Sequence, residues 1–148
     1  MVTKCPEIVR DRQPATGAVV QSLGTMIVGH EWVVDASGCE PGALRDLALL
    51  QRVSDRIVAE LQLKPVGAPA WHKFPGEGGV TGLILLSESH LACHTYPELA
   101  AATFNLYCCR ERPEWPWEPR LREALGASHV IIRRLERAVT GVAAETGR

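Results

Sequence analysis

At 148 residues with 46% apolar and 22% charged content, the chain fits one globular domain with a core of its own, and no apolar run nears the roughly 20 residues of a membrane span. A formal net charge of -1, with acids and bases interspersed, offers no field for nucleic acid and no polybasic patch for a membrane. Small molecules, or a second copy of the chain, are the expected partners. The opening MVTKCPEIVRDRQP carries acids where a signal peptide has its apolar stretch, so a cytoplasmic location is expected. The five cysteines, Cys5, Cys39, Cys93, Cys108 and Cys109, are odd in number and lack paired C-x-x-C spacing, so they read as free thiols.

Residues 1–22 are polar and turn-rich and residues 138–148 are similar; both are expected to be flexible segments flanking a domain at 23–137. Within it, Thr25 to Ala36 is β-branched and aromatic and predicts a strand. From Pro41, the residues Leu44, Leu47, Leu50, Val53, Ile57, Val58 and Leu61 recur at three- and four-residue steps, which predicts one amphipathic helix of about 20 residues. Residues 65–74 carry two prolines and suit an edge strand, followed by a glycine turn, PGEGG. Val80 to Leu86 predicts a short strand that the following segment, SESHLACHTYPE, continues. In Ala101 to Cys109, alternation puts Ala102, Phe104, Leu106 and Cys108 on an apolar face, with Thr103, Asn105, Tyr107 and Cys109 on a polar one. A helix over Trp117 to Leu125 and a strand over His129 to Leu135 complete the order βαβ, ββ, αβ. The expected fold is α/β, a two-layer sandwich of a mainly antiparallel sheet with helices on one face. The uncovered sheet face is expected to meet a second copy, giving a four-layer αββα dimer.

The segment from Leu85 to Glu98 crowds two serines, two histidines, a cysteine and two carboxylates together, and three readings stand beside one another. The groups can be structural, satisfied by backbone at a strand end. They can be metal ligands, although Cys93 and His94 are adjacent and point to opposite faces of an extended chain, as do Cys108 and Cys109. Or they can be catalytic: Ser89 or Cys109 as nucleophile with His94 as base, the serine meeting the histidine five residues on if the chain turns between them.

ESHLACHTYPE closely resembles the processing signature of the prokaryotic S-adenosylmethionine decarboxylases, ESH followed by His-Thr-aromatic-Pro-Glu. The resemblance extends to Leu23-Gly24, to His72-Lys73-Phe74, to Gly79-Val80-Thr81-Gly82 and to Tyr107-Cys108-Cys109, with Cys109 twenty residues after Ser89 as in that family. It covers about Leu23 to Glu136. It implies a proenzyme that cleaves itself between Glu88 and Ser89 into chains 1–88 and 89–148, Ser89 becoming a pyruvoyl cofactor that forms a Schiff base with substrate. It further implies His94 as the processing base, Cys109 as the proton donor, and Phe74, Thr81, Tyr96 and Glu98 as residues binding S-adenosylmethionine, with Phe74 open to coming from a second subunit. No metal is implied. The product, decarboxylated S-adenosylmethionine, is the aminopropyl donor of polyamine synthesis.

Thr81 stands where the family has Ser, Tyr96 for Trp, Asn105 for Asp, Cys108 for Thr and Arg110 for Gly, and the PGEGG turn is one residue longer. These departures keep two alternatives in view: a pyruvoyl-dependent ornithine or arginine decarboxylase on the same fold, and a non-catalytic regulatory paralogue.

Overall fold

A computed structural model describes residues 24–142; the expected N-terminal segment 1–22, Leu23, Cys5 and residues 143–148 lie outside the described residues. The elements run β1 (Gly24–Ser37), α1 (Pro41–Arg45), α2 (Leu47–Glu60), β2 (Ala70–Lys73), β3 (Val80–Leu86), β4 (Ser89–Tyr96), a 3-10 turn (Pro97–Leu99), β5 (Ala101–Cys108), α3 (Trp117–Leu125) and β6 (His129–Val142). The six strands form one sheet in the order β2-β3-β4-β5-β1-β6, every neighbouring pair antiparallel.

Alternation in the central strands makes the two layers. Trp32 and Val34 of β1, Ile84 of β3, Leu91 and Cys93 of β4, and Phe104 and Leu106 of β5 are buried. They meet Leu44 of α1, Leu50 and Ile57 of α2, and Trp117, Leu121 and Leu125 of α3 in one cluster. The opposite sheet face carries Thr81, Leu83 and Leu85, His94 and Tyr96, and Asn105 and Tyr107, all partly or fully exposed. This is the expected two-layer α/β arrangement, with the polar and apolar faces of β5 assigned as alternation requires.

Three expectations are corrected. The single helix from Pro41 is two, because Asp46 leaves the helical conformation (φ -83°, ψ 96°) and its side chain accepts a 3.0 Å hydrogen bond from Leu49 N–H, capping α2. A short polar side chain that can satisfy a helix's first free N–H groups starts a new helix where an unbroken apolar stripe suggests one. The crowded segment does not continue β3. The chain reverses at Ser87-Glu88 and returns as β4, pairing Leu86 with Ser89 and Thr81 with His94. The last strand runs past Leu135 and past the domain boundary placed at 137, pairing with β1 as far as Val142. Its final residues show no alternating pattern of their own; a long neighbouring β1 supplies the backbone partners that hold them extended.

β2 is shorter than residues 65–74, leaving Pro65 with an isolated bridge to Leu86. The glycine turn after it is shaped by close approach. A Cβ on Gly79 would fall on the Thr95 carbonyl, and Trp71 lies across Gly82. Thr95 is buried between the layers, accepting from Val80 N–H at 2.8 Å and donating to the Leu44 carbonyl at 2.7 Å.

Asp46→Ala is expected to lower stability by about 1 kcal/mol through loss of the α2 cap. Urea unfolding checks this: the midpoint should fall while the slope is unchanged.

Candidate active site

The residues that the sequence assigns to catalysis and binding divide into two groups at opposite ends of β4. At the C-terminal end a cavity of about 420 Å³ is lined by Phe74, Gly78, Gly79, Thr81, His94, Thr95, Tyr96 and Glu98. All four expected substrate-binding residues, Phe74, Thr81, Tyr96 and Glu98, are therefore gathered with His94 in one place. Local geometry explains each position. Phe74 N–H donates to the Gly79 carbonyl at 3.0 Å, closing the glycine turn, and Lys73 Nζ caps that turn by donating to the carbonyls of Phe74 and Gly78. The Phe74 ring meets His72 edge-on at 4.5 Å. Thr81 and His94 are cross-strand partners, Oγ1 and Nδ1 3.0 Å apart. Tyr96 ends β4, and the 3-10 turn that follows presents Glu98.

At the other end Glu88, Ser89 and Cys109 meet. Ser89 opens β4 opposite Cys108 and shares its face, its Oγ 3.8 Å from Cys108 Sγ. Cys109 is exposed just beyond β5, and its backbone N–H donates to the Glu88 carbonyl at 3.1 Å. The Glu88 side chain is ion-paired with Arg110 Nε and with Arg112 Nη2, each at 3.1 Å.

The expected turn that would bring Ser89 to His94 is absent. Ser89 to Tyr96 is an unbroken strand, so five residues at about 3.3 Å each separate the two by about 17 Å along its axis. An odd spacing also puts them on opposite faces, Ser89 toward the helices and His94 outward. Within one chain the serine and the histidine do not meet.

The thiols sort by environment. Burial pushes Cys93 up to about 11 and raises Cys108 as well, the latter against hydrogen bonding from Ser89 and the nearby Arg112. Cys39, Cys93 and Cys108 are buried, which leaves Cys109 as the exposed cysteine among the described residues. Among those residues no three His, Cys, Asp or Glu side chains converge as a metal-binding group, and no helix is long and apolar enough to cross a membrane.

Sequence reasoning missed a polar network on the outer face. Asn105 Nδ2 donates to Glu31 Oε1 at 2.8 Å, Asn105 Oδ1 accepts from His90 Nε2 at 3.0 Å, and Arg137 Nη1 pairs with Glu31 Oε2 at 2.8 Å. This accounts for Asn105 in place of the family's Asp: a carboxylate there would face Glu31, whereas the amide bridges it to His90. The signal was the departure at position 105, but its partner lies on β1, more than 70 residues away in sequence.

The solved adenosylmethionine decarboxylase from Aquifex aeolicus VF5 has the same fold as this chain, with a TM-score of 0.64, 20% sequence identity, and coverage of 82% of this chain and 98% of that one. The fold is thus that of a known decarboxylase class. Residues 30–138 match the family model of S-adenosylmethionine decarboxylase, and the chain belongs to that family. Curated relatives named S-adenosylmethionine decarboxylase proenzyme include those of Caldicellulosiruptor saccharolyticus, 32% identical over 76% of this chain and 90% of the relative, and Moorella thermoacetica, 32% identical over 76% and 89%. That of Pyrococcus horikoshii is 30% identical over 59% and 61%.

The Asn105 hydrogen bond, joined by that of Arg137 and opposed by partial burial, holds the Glu31 carboxyl below its usual range. A lowered folded-state value means that Glu31 contributes stability above the unfolded carboxylate range and loses it as pH falls through the lowered folded value. The difference in melting temperature between the wild type and Glu31→Gln should therefore be full at neutral pH and shrink on acidification below about pH 4.

Proposed function

We propose that this chain is a self-processing, pyruvoyl-dependent decarboxylase of S-adenosylmethionine that supplies the aminopropyl donor for polyamine synthesis. The observation that carries the reading is the hydrogen bond from Cys109 N–H to the Glu88 carbonyl. It polarises the one carbonyl that Ser89 Oγ, the next hydroxyl along the chain, can attack, and it supports the oxyanion that forms there. That attack moves the Glu88 acyl group from the Ser89 nitrogen to its oxygen. Loss of the Ser89 α-proton to a base then expels Glu88 as a carboxylate and leaves residue 89 dehydrated, the precursor of the pyruvoyl group. The proenzyme names of the relatives support the same course.

The pyruvoyl group supplies a carbonyl that takes up the substrate amine and the electrons released with carbon dioxide. Other residues of the chain bind the substrate and move protons. Phe74 and Tyr96 offer flat faces suited to adenine, and Glu98 a carboxylate acceptor suited to ribose hydroxyls, all in the one cavity. This set favours adenosine over the aliphatic chain of ornithine or arginine. Cys109, exposed beside residue 89, is placed to return a proton to substrate carbon.

His94 acts on Ser89 of a second copy. The separation along β4 excludes the encounter within one chain, and the outer face that carries His94 also exposes Leu83, Leu85, Ile131 and Leu135, apolar surface suited to a partner sheet. A twofold axis between two such faces, lying along the middle row of Leu83, Ala92, Asn105 and Val33, sets the His94 end of each copy over the Ser89 end of the other.

The purified protein should run as two fragments, the larger ending at Glu88 and the smaller beginning with a pyruvoyl group, lighter than the serine that simple hydrolysis would leave. Ser89→Ala should remain a single chain. Intact wild-type protein after prolonged incubation would refute self-processing.

The shared site has its own test. Ser89→Ala and His94→Ala should each fail to cleave alone, yet mixing the two after mild dissociation should restore cleavage of the His94→Ala chain, because one of the two sites in the mixed dimer holds both native residues. No cleavage in verified mixed dimers would remove His94 as the base acting across the dimer.

A further inference from the structure

Two arginines close on the cleavage residue from a segment to which nothing above gives a chemical role. Glu88 is largely buried for a turn carboxylate, its side chain 22% exposed, and both its oxygens are taken: Oε1 by Arg110 Nε and Oε2 by Arg112 Nη2. Arg110 is 74% exposed and Arg112 only 23%. As isolated surface pairs such contacts stabilise little. Their position gives them more significance, since they follow Cys109, whose N–H already holds the Glu88 carbonyl. Arg112 Nε, moreover, is buried with no hydrogen-bond partner among the described residues. A buried guanidinium N–H left unpaired is costly unless some state of the protein supplies an acceptor.

Processing supplies one. We infer that Arg110 and Arg112 form a cradle for the carboxylate expelled from Ser89, stabilising it as a leaving group and holding it afterwards as the C-terminus of residues 1–88. The inference rests on the Glu88–Ser89 cleavage proposed above. In the ester, the Glu88 carbonyl carbon is bonded to Ser89 Oγ. When a base removes the Ser89 α-proton, that electron pair forms the Cα–Cβ double bond. The Cβ–Oγ bond breaks, and Oγ leaves with its bonding pair as the second oxygen of the new Glu88 α-carboxylate. Residue 88 thereby passes from one negative charge to two, opposite two guanidiniums. Cys109 N–H already donates to one of the two oxygens concerned, and Arg112 Nε is a spare buried donor on the guanidinium that already holds the Glu88 side chain. The cradle acts on elimination, where the charge appears, and less on the preceding acyl shift.

The test follows cleavage by gel and intact mass for the wild type, Arg110→Met, Arg112→Met, the variant carrying both Met substitutions and Arg112→Lys, with parallel samples treated with hydroxylamine. Each Met variant should cleave about tenfold more slowly or worse, as expected for loss of a charge-assisted contact to a developing anion. Its uncleaved chain should accumulate as ester, which hydroxylamine splits to a Glu88 hydroxamate and a 89–148 fragment with an N-terminal serine. Arg112→Lys should recover part of the rate, and added salt should slow the wild type more than the double Met variant. Met variants that cleave at the wild-type rate, or slow chains without hydroxylamine-labile ester, overturn the inference. Arg110, being mostly exposed, carries the test if Arg112→Met fails to fold. A wild type that never cleaves overturns the processing reading together with this one, whereas normal wild-type cleavage with unaffected variants overturns the cradle alone.

Discussion

The unbroken pairing of β4 between β3 and β5 is the constraint on which the rest of the molecule depends. Eight residues, Ser89 to Tyr96, are held extended by the β5 ladder and the first six of them, Ser89 to His94, by the β3 ladder as well, so the period of two decides every assignment along them. Leu91, Cys93 and Thr95 go to the core, and His90, His94 and Tyr96 to the outer face. The same ladder holds the candidate site residues at its two ends. The backbone contact of Cys109 with Glu88 extends the β4–β5 pairing one step past the strand, so the Glu88 carbonyl, the one proposed to be cleaved, is held by ordinary sheet hydrogen bonding. A rigid sheet thus supplies the precision that a reacting bond requires.

That rigidity has a consequence for how the site is assembled. A flexible loop could fold a histidine back onto a serine five residues away, but a doubly paired strand cannot. Ser89 and the cavity at Tyr96 are therefore separated by the length of the strand, and it is the proposed dimer, with a second copy facing the first, that would bring them together. The outer face is built for such contact, with exposed aliphatic side chains around an interior polar network. In that network Glu31 is held ionised by Asn105 and Arg137, and Arg137 lies over the Tyr107 ring at 5.7 Å. Polar groups already satisfied within one chain can be covered by another without leaving charges unpaired.

Three of the five substitutions that separate this chain from its family pattern are intelligible in the same spatial terms. Asn105 answers to Glu31 across the β1–β5 pair. Thr81 retains the hydroxyl that meets His94. Arg110, where the family element has glycine, reaches back to Glu88 and joins Arg112 there. Each change is local in the sheet though remote along the chain.

By itself the sequence determined the layers and nominated the inventory of the candidate site. Alternation in Ala101–Cys108, the apolar stripe of α2 and the run Trp117–Leu125 specify which faces are buried, because burial follows from side-chain period alone. The motif residues Glu88, Ser89, His94 and Cys109 were legible as a chemical set, as were Phe74, Thr81, Tyr96 and Glu98. Tertiary structure alone decided the break at Asp46, the reversal at Ser87-Glu88, the length of β6 and the division of the site between the two ends of β4. These depend on cross-strand partners: whether a segment continues or turns, and which residue a side chain meets, is set by backbone groups far away in sequence. A linear pattern of residues carries no record of those neighbours.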